Sequence, residues 1–113
     1  MSVTIYHNPR CSKSRTTLGL LEENNAEPTV VEYLNTPPSV DELKSILSML
    51  GLSPRELMRA KEAKEAGLDD PSLDDAALID AMVANPIVIE RPIVVSGGKA
   101  KIGRPPEGVL DIL

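Results

Sequence analysis

An α/β fold is predicted for this 113-residue chain by three features of its order. A β-branched opening run, an amphipathic segment and a second β-branched run read as a strand–helix–strand unit. The middle of the chain carries repeated helix-start signals followed by apolar residues at helical spacing. Near the end, two short β-type runs flank a Gly-Gly pair and lead into a short apolar segment, which reads as a strand–strand–helix unit. The length fits one domain over residues 1–113, and no repeat or linker interrupts it.

The elements follow in order. Ser2 to Tyr6 holds Val3, Thr4 and Ile5 and stops before the turn-forming Asn8-Pro9 pair, as a first strand does. Thr16 to Asn24 carries Leu18, Leu20 and Leu21 with Glu22 and Glu23 outward, and Cys11-Ser12-Lys13-Ser14 sits where its first turn and cap belong. Cys11 is therefore expected at a helix N-terminus. Thr29 to Leu34 reads as the second strand, closed by Asn35-Thr36-Pro37-Pro38. Ser39-Val40-Asp41-Glu42 spells a capping box for a helix bearing Leu43, Ile46, Leu47 and Leu50 and ending at Gly51. Ser53-Pro54-Arg55-Glu56 opens another ahead of Leu57 and Met58. Arg59 to Asp70 is charged, with Lys61 and Glu65 spaced as on a solvated helix surface. Ser72 is expected to begin a helix through Leu78, Ile79, Met82 and Val83 that Asn85-Pro86 ends. Ile93-Val94-Val95, Gly97-Gly98 and Lys99 to Ile102 form a hairpin with a positive-φ turn. Arg104-Pro105-Pro106-Glu107 starts a closing helix, whose Val109, Leu110, Ile112 and Leu113 provide a side to dock on the body.

Composition narrows the functions. Twelve Lys+Arg against 17 Asp+Glu give a net charge of −5, and with no Phe or Trp and two Tyr the core is aliphatic. Such a chain offers neither the basic field nor the stacking platform that nucleic acid needs. No apolar run approaches the roughly 20 residues that cross a bilayer, and MSVTIYHNPR lacks a signal peptide's apolar stretch. A cytoplasmic protein with no membrane or nucleic-acid partner is expected. The single cysteine excludes an internal disulfide and a self-resolving dithiol, so redox chemistry must borrow its second thiol. One His and one Cys do not supply a metal site.

Cys11 is the candidate nucleophile. A thiol at the first turn of a helix meets unpaired backbone N–H groups and the positive end of the helix dipole, which favour the thiolate. Arg10, Lys13 and Arg15 add local positive charge, and Ser14 stands one helical turn away, able to donate a hydrogen bond to sulfur. A free cysteine is more often a small buried core residue. The polar run Pro9 to Arg15 argues against a core segment here. The same helix start would attract an oxyanion, whose repulsion by the thiolate guanidinium groups would offset. Arg59, Arg91 and Arg104 are the arginines that stand out by position, although most arginines are surface solubilisers. His7, four residues before Cys11, could modulate it or serve only structure.

The runs Tyr6-His7-Asn8-Pro9-Arg10-Cys11-Ser12-Lys13-Ser14-Arg15, Arg55-Glu56-Leu57-Met58-Arg59, Glu90-Arg91-Pro92-Ile93-Val94-Val95 and Gly103-Arg104-Pro105-Pro106-Glu107 closely resemble the glutaredoxin-linked arsenate reductase family, in particular its chromosomal bacterial branch. The likeness spans nearly the whole chain. It implies a thioredoxin-like mixed β-sheet flanked by helices, with a helical insertion between the N-terminal βαβ unit and the C-terminal ββα unit. It implies further that Cys11 forms a covalent thiol–arsenate adduct, that Arg59, Arg91 and Arg104 hold the oxyanion, and that His7 and Ser14 support the thiolate. Pro92 matches the loop proline that such folds hold in cis opposite the active cysteine. No bound cofactor is expected; glutathione would be the co-substrate, glutaredoxin the protein partner, and the working state a monomer. Two other activities remain open at this point: a general thiol oxidoreductase with little arsenate activity, and a redox-responsive regulator of the same fold that binds RNA polymerase. The unrelated thioredoxin-linked arsenate reductases resemble tyrosine phosphatases, with a cysteine and an arginine separated by five residues; this chain has Thr17 at that position and no second or third cysteine.

Overall fold

The structure is a computed structural model that describes residues 2–113. It contains two compact units, one formed by the chain up to Thr36 and from Arg91 onward, the other by Pro37–Glu90.

The first unit holds β1 (Val3–His7), α1 (Ser12–Glu23), β2 (Thr29–Glu32), β3 (Ile93–Ser96), β4 (Lys99–Ile102) and a closing 3₁₀ helix, Pro106–Ile112. The sheet order is β2-β1-β3-β4, with β1 parallel to β2 and antiparallel to β3, and β3 antiparallel to β4. A parallel pair needs a crossover, which α1 supplies, whereas β3 and β4 need only a tight turn. Gly97 and Gly98 make that turn at φ 56° and 79°, a left-handed pair that residues with a Cβ rarely adopt. This is the mixed, thioredoxin-like sheet that the resemblance implies, interrupted by the helical second unit.

Alternation along β1 decides what the unit buries. Val3, Ile5 and His7 are buried while Thr4 and Tyr6 between them are only half-buried. Val3 and Ile5 join Leu21, Val94 and Val109 in one core, with Leu18, Ala26 and Ile112 packed against it. The buried stripe of α1 is Ser14, Thr17 and Leu21; Leu18 and Leu20, expected on that face, are only half-buried. Two hydroxyls can occupy the stripe because both are hydrogen-bonded, Thr17 donating to the Lys13 carbonyl at 2.8 Å.

Two expectations change at the unit's margins. β2 ends at Glu32 rather than Leu34, because the Glu32 carbonyl accepts from the Asn35 and Thr36 amides and turns the chain out of the ladder. The closing segment is 3₁₀ rather than α. At three residues per turn its spacing aligns Pro106, Val109 and Ile112 towards the body, leaving Leu110 and Leu113 exposed at 36% and 42%.

The second unit contains α2 (Val40–Leu50), α3 (Pro54–Leu57), α4 (Ala60–Glu65), α5 (Asp75–Ala84) and a 3₁₀ turn, Pro86–Val88. Complete capping boxes start α2 (Ser39 with Glu42) and α3 (Ser53 with Glu56), and Gly51 ends α2 at φ 69°. α5 packs against α2 and α3 through a core that includes Leu43, Ile46, Leu47, Leu57, Leu78 and Met82. Its cap is Asp74, which accepts from the Ala77 amide at 2.8 Å. Ser72, expected to begin this helix, instead gives both its amide and its hydroxyl hydrogen to Asp70 Oδ1.

Candidate active site

Cys11 is the N-cap of α1, with extended backbone at φ −92° and ψ 123°. The turn delivering it is tied at three points. The Cys11 amide donates to the Asn8 carbonyl at 3.0 Å, the Arg10 amide to Asn8 Oδ1 at 3.0 Å, and Arg15 Nη1 to the Pro9 carbonyl at 2.8 Å. Arg15 is thereby committed to the loop, while the Cys11 sulfur stays half-buried and reachable.

Arg104, 93 residues distant in sequence, brings Nη2 to 3.6 Å from the sulfur and fixes its guanidinium by donating Nε to the Arg91 carbonyl at 3.0 Å. Gly103 sets the backbone approach. Its amide donates to the Pro92 carbonyl at 2.9 Å, and a Cβ there would lie 2.5 Å from Thr17 Oγ1 and 2.7 Å from Pro92 Cγ. The Arg91–Pro92 and Arg104–Pro105 peptides are both cis. Arg91 itself is buried, 7% exposed.

These surroundings lower the thiol pKa. Burial is the largest single influence and pushes it up; the Ser14 and Lys13 amides, then the Arg104 and Arg91 guanidinium groups, together outweigh it. Neither amide closes a complete cap hydrogen bond to sulfur, so they act as oriented N–H dipoles at the helix start. The lowered thiol pKa favours the thiolate form of Cys11 with an Arg104 donor beside it, an arrangement suited to attack on an electrophile that carries negative oxygens.

His7 and Ser14 meet because each ends a buried row, His7 that of β1 and Ser14 that of α1. Ser14 Oγ lies 2.7 Å from His7 Nδ1 and accepts from the Asn8 amide at 3.0 Å. The hydroxyl is thus engaged with His7 and Asn8, and Ser14 addresses the sulfur through its backbone amide. The His7 pKa is lowered, chiefly by burial and also by Arg15, with Glu32 opposing.

Arg59 belongs to the second unit. It caps α4, its amide donates to the Val88 carbonyl at 2.7 Å, and its guanidinium meets Glu62 at 3.1 Å and Glu90 at 3.4 Å. Among the described residues no group of three or more His, Cys, Asp or Glu could hold a metal, and no helix is long and apolar enough to cross a membrane.

The profile of the ArsC family matches residues 6–112. The chain belongs to the ArsC family. This ArsC chain is 61% identical to the uncharacterized protein YfgD of Escherichia coli (strain K12), over 98% of its own length and 96% of the relative's. It is 52% identical to an arsenate reductase of Neisseria meningitidis, over 98% and 97%. Among solved structures, an arsenate reductase from Vibrio cholerae is 56% identical with a TM-score of 0.95, over 100% of this chain and 98% of that one.

Two features of the surroundings of Cys11 carry no assigned role in the sequence reading. The spacer Gly103 is flanked by Ile102 and Arg104, and a glycine between a strand end and an arginine is the signal that could have marked a close backbone approach. Glu32 is the other: alternation places it on a strand, but only the register sets it beside His7.

Proposed function

We propose that this ArsC-family chain reduces arsenate to arsenite with Cys11 as the nucleophile. The observation that carries this is the sulfur's setting at the start of α1, with its thiol pKa lowered and an arginine donor at 3.6 Å. The relatives named as arsenate reductases support the choice of oxyanion.

In the proposed reaction the Cys11 thiolate attacks As(V); an S–As bond forms and an arsenate oxygen leaves, protonated, as water. Arg104 and Arg91 offset the charge that would otherwise keep an oxyanion from a thiolate. Arg59 enters on its motif alone, as a third oxyanion ligand. Glutathione attacks the adduct and glutaredoxin supplies the second thiol. Their two sulfurs leave joined as a mixed disulfide, having given two electrons to arsenic, and water releases arsenite and returns the Cys11 thiol. A chain with one cysteine depends on such external thiols, and the reducing cytoplasm provides them. His7 and Ser14 hold the helix start that stabilises the thiolate, and the monomer is the working unit.

The test is arsenate reduction with glutathione, glutaredoxin and coupled NADPH oxidation. Wild type should turn over and Cys11→Ser should not. Reduction of mixed disulfides with arsenate left untouched would replace this proposal with a general thiol oxidoreductase.

A further inference from the structure

Beside the Cys11 turn the first unit holds a cavity of about 370 Å³, walled in part by His7, Asn8, Arg10, Glu32 and Asn35. Sheet register explains why His7 and Glu32 share it. They are Cα partners in the parallel β1–β2 pairing, so their side chains leave the same face of strands about 4.8 Å apart. His7 is buried at 6% exposure, whereas Glu32 is exposed on the edge strand. The charges acting on the ring come from Glu32 of β2 and Arg15 of α1, with Arg10 of the intervening loop on the same cavity wall.

Hydrogen accounting at Ser14 gives this cluster a consequence. A serine hydroxyl has one hydrogen and two lone pairs, and one lone pair already receives the Asn8 amide. When the neutral ring carries its hydrogen on Nε2, Ser14 must donate to Nδ1. When Nδ1 carries a hydrogen, as in the imidazolium, Ser14 accepts a second bond and its own hydrogen is released within the first turn of α1.

We infer that Glu32 is a positioning residue for the Cys11 site: it biases His7 towards the state with a hydrogen on Nδ1 and so sets the direction of the Ser14 hydroxyl. The inference rests on Cys11 being the nucleophile but not on arsenate being its substrate. A carboxylate beside a buried imidazole favours the charged ring, whereas burial and Arg15 oppose it. The thiolate then meets either a neutral network whose hydroxyl is turned towards His7 or a cationic one whose hydroxyl is free.

The experiment uses the full chain, whose single histidine and single cysteine make both readouts unambiguous. His7 is titrated by proton–nitrogen NMR, and Cys11 alkylation by iodoacetamide is followed against pH, in wild type, Glu32→Gln and Glu32→Asp. In Glu32→Gln the His7 midpoint should move to lower pH and the acid limb of the alkylation profile to higher pH, because the thiolate loses the cationic ring and the released hydroxyl, while Glu32→Asp retains part of the wild-type position. An unmoved His7 midpoint overturns the inference, as does a moved midpoint with an unchanged thiol profile. Neither readout contains arsenate, so a failure of the proposed reaction would appear separately, as absent arsenate turnover.

Discussion

Removing the Arg104 guanidinium should cost the Cys11 thiolate a calculable part of its stabilisation. Two unit charges at the observed 3.6 Å attract by about 1 kcal/mol in a water-like dielectric and several times more in a protein-like one. Because Arg104 is exposed and Cys11 is half-buried, solvent screening selects the lower figure. About 1 kcal/mol is a roughly five- to tenfold change in the acid dissociation constant. Arg104→Ala should therefore reduce the thiolate population by about that factor on the acid side of the titration. The lowering by the Ser14 and Lys13 amides and by Arg91 remains in place. Ultraviolet thiolate absorbance should register the whole change. Alkylation should slow by only about two- to threefold, since a more basic sulfur is a better nucleophile and recovers roughly half of the effect on a logarithmic scale. Arg104→Lys should fall between the two, keeping a charge but losing the fork that fixes the side chain to the Arg91 carbonyl. Superimposable thiol titrations for wild type and Arg104→Ala would refute the assignment of Arg104 to the sulfur.

Gly103→Ala should destabilise the protein by about 1–3 kcal/mol, because the new methyl would overlap Thr17 Oγ1 and Pro92 Cγ; urea unfolding checks this, and the thiol pKa should rise as Arg104 is displaced. Ser39→Ala removes the side-chain half of the α2 capping box and should cost about 1 kcal/mol by the same measurement, with no change in thiol titration. Since the folded chain holds His7 below its ordinary 6.5, the unfolded chain binds that proton first as pH falls, so stability should decline with pH below 6.5 until His7 also protonates in the fold. A urea midpoint followed from pH 7 downward should show this decline above the carboxylate range, and His7→Gln should flatten it.

What the sequence revealed was whatever depends on neighbours. The capping boxes at Ser39 and Ser53, the left-handed Gly97-Gly98 turn and the helix start at Cys11 are each fixed within four residues, and they form where expected. Sequence and structure differ where two local solutions compete. Ser72 and Asp74 are both able to cap, and the Ser72 hydroxyl is taken by Asp70 before it can serve α5. Apolar residues at 109, 110, 112 and 113 satisfy an α-helical stripe as well as a 3₁₀ one, and only packing against the body selects the face of Val109. Ser14 and Thr17 were invisible as buried positions because their partners, the His7 ring and the Lys13 carbonyl, do not show in an apolar pattern.

The meeting of Cys11 with two of the remote arginines follows from register, which a residue pattern does not contain. Ile93 is the hinge of that register: it pairs with Tyr6 on one side and with Ile102 on the other. Arg91 lies two residues before Ile93, Arg104 two residues after Ile102, and the Cys11 turn begins just beyond Tyr6. In antiparallel strands these three departures fall at one end of the sheet, the C-terminal end of β1, where the crossover to α1 places the positive end of its dipole. The hydrogen bonds from Gly103 to Pro92 and from Arg104 to Arg91 then draw the last two strands' extensions together over a distance that the ladder has already closed. A cation at the sulfur is therefore a consequence of strand pairing. Slipping β3 by one residue against β1 would exchange the faces to which its buried side chains point and carry Arg91 out of register with the turn, so the pairing that builds the core also builds the site.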